Sequence, residues 1–92
     1  MKKYLLGTTV KIVDILDVDT ADSITITIED PGHSEKVTAA AMTKSADRVY
    51  FYLYSSSISD QEGIYVARIT ATVDGNPGVK EYQFEMIDQS DQ

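Results

Sequence analysis

Period two is the dominant rhythm of this chain. In residues 22–30 (DSITITIED), Ile24, Ile26 and Ile28 alternate with Ser23, Thr25, Thr27 and Glu29, the pattern of a strand with one buried face and one wet face. Threonine is β-branched, so the outer row favours an extended chain as much as the inner row does. YVARITATV repeats the pattern, with Tyr65, Ala67, Ile69 and Ala71 set against Val66, Arg68, Thr70 and Thr72. EYQFEMID sets Tyr82, Phe84 and Met86 against Glu81, Gln83 and Glu85. Three such runs commit the chain to sheets.

Turn signals cut the runs at short, even intervals. Asp30-Pro31-Gly32-His33 puts Pro and Gly at the centre of a type II turn. Asp74-Gly75-Asn76-Pro77-Gly78 joins two alternating runs and reads as a hairpin loop. Residues 17–22 (DVDTAD) and 55–61 are polar connections. The predicted strands are roughly 4–6, 10–16, 23–29, 36–41, 49–54, 63–73 and 79–87. Ala and Met in 37–45 (VTAAAMTKS) suit a short helix, but that stretch lacks caps and is read as strand. About seven antiparallel strands at this spacing give an all-β fold, a sandwich or small barrel. Its core is expected from Val10, Ile12, Ile24, Ile26, Ile28, Tyr65, Ala67, Ile69, Tyr82, Phe84 and Met86. Residues 1–87 form the single expected domain, and 88–92 a polar, frayed tail.

Composition narrows the function classes. The 92 residues are 42% hydrophobic, enough for one core and too few for two. With no Cys, neither disulfides nor thiolate metal sites hold the fold. Eight basic against 15 acidic residues leave a net charge of −7, which repels both nucleic acid and an anionic membrane surface. The start, MKKYLLGTTVKIVDIL, imitates a signal peptide, but Lys11 and Asp14 interrupt its apolar run and no small-residue cleavage site follows. No stretch reaches the ~20 apolar residues of a membrane helix. The expectation is a chain complete from Met1 and cytoplasmic as synthesised.

The stretch Gly63-Ile64-Tyr65-Val66-Ala67 resembles the start of strand F in immunoglobulin-like domains. There a tyrosine two residues before the second disulfide Cys bonds back to the corner backbone. The resemblance makes Tyr65 the corner tyrosine and gives Ala67 the Cys position, so it points to Cys-free members. Almost the whole chain is similar to immunoglobulin-like modules of bacterial, archaeal and phage surface or structural proteins, and to the related macroglobulin-type domains. Gly7-Thr8-Thr9-Val10, SITITIEDPG, Tyr50-Phe51-Tyr52-Leu53-Tyr54 and Gly63-Ile64-Tyr65 carry that likeness. It implies an immunoglobulin-like β-sandwich, and no activity.

Three groups of residues are candidate sites. Asp60, Gln61 and Glu62 read as a polar corner whose carboxylates accept backbone N–H groups. Their functional reading is a calcium site shared with Asp14, Asp17, Asp19 and Asp22, although 17–22 lacks the Gly of a calcium loop, and Ile28 stands where its twelfth-position Glu belongs. The second group is RVYFYLYSS, with Tyr50, Tyr52 and Tyr54 on one face and Val49, Phe51 and Leu53 on the other. One row is core. If the tyrosines face outward, they form an aromatic surface for a protein partner or a sugar. The third candidate, the lone His33, follows Pro-Gly and reads as an exposed turn residue. No nucleophile–base set or phosphate cradle surrounds it.

The expected protein is therefore no enzyme and needs no cofactor. It is an interaction or structural module, a small subunit or accessory protein of a phage or prophage particle or other large assembly. Carbohydrate binding through the Tyr row is the alternative. A protein partner or self-association at an open sheet edge is expected, with neither nucleic acid nor membrane.

Overall fold

The alternating runs become two facing sheets in the computed structural model, which describes residues 1–88. The strands are β1 (Lys3–Leu5), β2 (Thr9–Ile15), β3 (Ser23–Glu29), β4 (Glu35–Ala41), β5 (Thr43–Ala46), β6 (Val49–Ser55), β7 (Gly63–Val73) and β8 (Asn76–Ile87). A five-stranded sheet runs in the order β1-β8-β7-β3-β4, and a three-stranded sheet in the order β2-β6-β5. Apart from Asp88, the expected polar tail lies outside the described residues.

Two features depart from about seven antiparallel strands. First, β1 pairs parallel to the end of β8, from Lys3↔Glu85 to Leu5↔Ile87. It cannot form a hairpin with β2, because Gly7 (φ 89°) turns the chain into the other sheet. Second, the strand expected at 36–41 is followed by another, β5, in the opposite sheet. The chain changes sheets at Met42, whose N–H still donates to Ile24 O at 3.1 Å and whose side chain is buried. All four β5 residues are exposed, so no alternation announces the strand.

The turns differ from expectation in instructive ways. At 30–34 the left-handed residue is His33 (φ 67°), not Gly32. Asp30 organises that loop, its Oδ1 accepting from Gly32 N and Ser34 N, each at 2.9 Å. This is a three-residue hairpin loop closed by a left-handed residue. The second loop is tighter than expected: Val73 pairs with Asn76 across Asp74 (φ 51°) and Gly75 (φ 79°), the two positive angles of a type I′ turn.

Between the sheets lies one cluster containing Val10, Ile12, Ile24, Ile26, Ile28, Tyr65, Ala67, Ile69, Phe84 and Met86, as expected. Leu6, Leu16, Met42, Tyr50 and Tyr54 complete it. Tyr82 is the exception to the expected core. It sits at the rim, 38% exposed.

Candidate functional site

The corner before β7 is a structural device. Tyr65 is fully buried, and its hydroxyl donates to Gln61 O at 2.6 Å. Burial drives the phenol pKa well above its ordinary 10.0, so the hydroxyl keeps the proton that makes this bond. Gly63 (φ 129°) must be glycine here, since a Cβ would stand 2.8 Å from Pro31 Cγ. Asp60 is consumed by the same corner, accepting from Ser57 N at 2.8 Å and pairing with Lys36 Nζ at 3.2 Å.

The acids proposed to share calcium do not meet. Asp17, Asp19 and Asp22 lie before β3, while Asp60 and Glu62 lie near the loop after it. Seven strand residues at about 3.3 Å each separate the two ends. Asp19 pairs with Arg48 at 3.3 Å, Asp22 Oδ2 accepts from Gly75 N at 3.3 Å, and Glu62 Oε2 accepts from Asp88 N at 3.0 Å. Asp14 points between the sheets. Among the described residues, no group of three or more His, Asp or Glu is placed to hold a metal ion. His33 is exposed in its turn.

The aromatic row faces the other way from an exposed Tyr surface. Tyr50 and Tyr54 are each only 5% exposed, and Tyr52 packs against the core. Tyr54 meets the rings of Tyr65 and Phe84 at 6.2 and 6.4 Å, and burial raises its pKa to about 12. Tyr50 turns inward because its hydroxyl finds a partner at the rim, accepting from Ala21 N at 3.2 Å. An outward contact surface made of Tyr50, Tyr52 and Tyr54 is therefore corrected. The outward row is Val49, Phe51 and Leu53.

That row does not stand alone. Across the ladder Val49 faces Ile15, Phe51 faces Val13, and Leu53 faces Lys11. Val13, Ile15 and Leu53 are 42%, 63% and 53% exposed, and the Lys11 ammonium lies 5.1 Å from the Phe51 ring centre. The outer face of the five-stranded sheet is built differently. Arg68 straps its strands together, bonding Glu29 at 3.0 Å and Glu81 at 2.9 Å, amid Thr25, Thr27 and Thr70. One outer face is cross-linked and mostly polar, with Ile64 and Val79 exposed on it at separate places; the other gathers its exposed apolar side chains side by side.

That apolar face borders an open edge. Among the described residues, β2 has a neighbour only in β6, and β1 covers only the last residues of β8. Asp14, 1% exposed, spans this gap: its Oδ1 accepts from Tyr82 Oη at 2.8 Å and Lys80 Nζ at 3.2 Å. Among the described residues, its Oδ2 has no hydrogen-bond partner. Burial first, and the Asp14 bond second, push the Tyr82 phenol up to about 12. A recess opens on either side of this bridge. One, of about 400 Å³, is lined by Leu16, Ile69, Val73 and Val79. The other, of about 270 Å³, is lined by Lys2, Tyr4, Lys11, Ile12, Tyr82 and Phe84.

Two facing sheets and a buried corner tyrosine bonded to the preceding backbone define an immunoglobulin-like β-sandwich. A comparison with solved structures agrees. The chain is similar to the M1 domain from titin, with a TM-score of 0.53 and 19% identity, covering 99% of this chain and 89% of that one. At that identity the likeness is one of fold. No protein-family model matches the chain, and no curated protein does. No helix among the described residues is long and apolar enough to cross a membrane.

Proposed function

We propose that this chain is a non-enzymatic interaction module, held in a larger assembly through the outer face of its three-stranded sheet. The observation that carries the reading is the contrast between the two outer faces. Val13, Ile15, Val49, Phe51 and Leu53 sit side by side as an apolar surface, whereas the opposite face is dominated by Arg68, its two carboxylates and threonines, with Ile64 and Val79 exposed apart from each other. A contiguous apolar patch of this kind marks a contact surface more often than solitary exposed residues do. The non-enzymatic part is supported by where the polar groups go. Asp19, Asp22, Asp60 and Glu62 each make bonds that close loops or pin the corner.

The finer form of the reading is a small subunit or accessory protein of a phage or prophage particle, supported by the likeness of SITITIEDPG and the Gly63-Ile64-Tyr65 corner to modules of such particles. Sugar stacking on Tyr50, Tyr52 and Tyr54 has lost its support, because two of the three rings are core.

Site-specific photocrosslinking tests the surface. A crosslinker replacing Leu53 is expected to give one discrete adduct in extracts of the host cell. At Thr38, exposed on β4, it is expected to give none. Equal labelling at both positions overturns the assignment of this face.

A further inference from the structure

We propose that the free edge of β2 accepts an added strand, and that the strand is an acidic, extended segment of a protein partner. The inference rests on the interaction-module reading and supplies its mode of contact. Backbone direction comes first. At the two ends of β2, Ser56 N donates to Thr8 O at 3.1 Å and Leu16 N donates to Arg48 O at 2.8 Å. Successive residues of an antiparallel strand turn their backbone groups to opposite sides. The even residues of β2 therefore bond β6, and Thr9, Lys11, Val13 and Ile15 direct N–H and C=O away from it. No strand lies on that side among the described residues. Lys80 Nζ donates to Ile15 O at 2.9 Å and so closes the far end, leaving Lys11 and Val13 at the centre of the open edge.

An added strand also needs somewhere to put its side chains. These alternate between the two faces of a sheet. On the outer face they would meet Val13 and Phe51. On the inner face they would enter the 270 Å³ recess beside Tyr4, Tyr82 and Phe84. Main-chain bonds along an edge, with pockets for alternate side chains, are the requirements for strand addition.

Charge selects the partner. Among the described residues, Lys3, Lys36, Lys44, Arg48, Arg68 and Lys80 all pair with carboxylates. Lys2 and Lys11 are in no such pair: Lys2 lines this recess, and the Lys11 ammonium lies over Phe51 on the outer face of the same edge. Two ammonium groups without carboxylates, in a chain of net charge −7, favour a segment carrying Asp or Glu. Screening over about 8 Å at physiological salt lets that local pair outweigh the net charge at contact range.

The test uses the full ¹⁵N-labelled chain and a capped eight-residue peptide in which Val alternates with Glu and Thr. A counterpart carries Lys in place of Glu. The acidic peptide is expected to slow amide exchange at Lys11 and Val13 while leaving Ile12 and Asp14, which already bond β6, unchanged. Combining Lys2→Glu and Lys11→Glu is expected to weaken binding by at least about three- to tenfold, the scale of two exposed ion pairs. Val13→Pro removes an outward donor at an edge position that tolerates proline. It is expected to abolish binding with the remaining amide spectrum intact. Equal binding of the Lys peptide, or no protection at Lys11 and Val13 at millimolar acidic peptide, overturns the proposal. Protection that rises with protein concentration alone assigns the edge to a second copy and overturns it too. In each of these cases a discrete crosslink at Leu53 leaves the broader reading standing, and loss of that crosslink removes it separately.

Discussion

Tyr65 holds two structural roles on one side chain. Its ring stacks with Phe84 at 5.6 Å, and its hydroxyl ties the corner at Gln61 O. Tyr65→Phe keeps the ring and strands a carbonyl, so it should cost about 1–3 kcal/mol in urea unfolding. Asp60 works through charge. The Ser57 N–H, and after it the Lys36 ammonium, hold its carboxyl below the ordinary 3.8. A depressed folded-state pKa contributes stability that is complete above the unfolded value and is lost as pH falls through the folded one. Asp60→Asn should therefore lower the melting temperature at neutral pH and flatten its decline below about pH 4. Gly63 and Tyr65 were legible in the sequence because a corner tyrosine has a local signature. The role of Asp14 was not. An Asp on the inner row of a strand reads as an interruption until Lys80 and Tyr82, distant in sequence, are seen to reach it.

At the scale of elements, alternation told which face of a strand is buried wherever only one face is apolar. In β3 the inner row is Ile24, Ile26 and Ile28, and Ile26 has no exposed surface. Ile26→Asp should abolish cooperative unfolding, because an unpaired carboxylate there has no partner. Thr25→Asp, on the outer row, should cost less than about 1 kcal/mol. A cooperatively folded Ile26→Asp variant would overturn the face assignment. β6 could not be read this way, since both of its rows are apolar. Tyr50 and Tyr54 took the interior: the Tyr50 hydroxyl reaches a partner at the rim, whereas the Tyr54 hydroxyl, among the described residues, is buried with no hydrogen-bond partner, and its ring packs on Tyr65 and Phe84. β5 was invisible for the opposite reason: four exposed residues carry no pattern, and only pairing with β6 makes them a strand.

For the whole molecule, the consequence of burying the Tyr row is a bare apolar face on the other side of the same sheet. Leu53→Asp should change the free energy of unfolding by less than about 0.5 kcal/mol. Tyr54→Ala, one residue along, should cost about 3–5 kcal/mol. Chemical denaturation of the two variants checks the pair, and equal costs would mean the sheet is turned over. Solubility of the Leu53→Asp variant should match or exceed that of the parent chain, because it removes apolar surface that only a partner would otherwise cover.

By itself the sequence determined that the chain forms sheets, most of where the strands begin and end, and the corner that makes the sandwich immunoglobulin-like. Those are local matters of period, turn chemistry and a tyrosine near its own backbone partner. Only the tertiary structure decided which sheet each strand joins, which face of β6 is core, and where the edge stays open. Each of these depends on pairing between residues far apart in the chain. A strand with two apolar faces, or with none, holds no internal instruction about its neighbours.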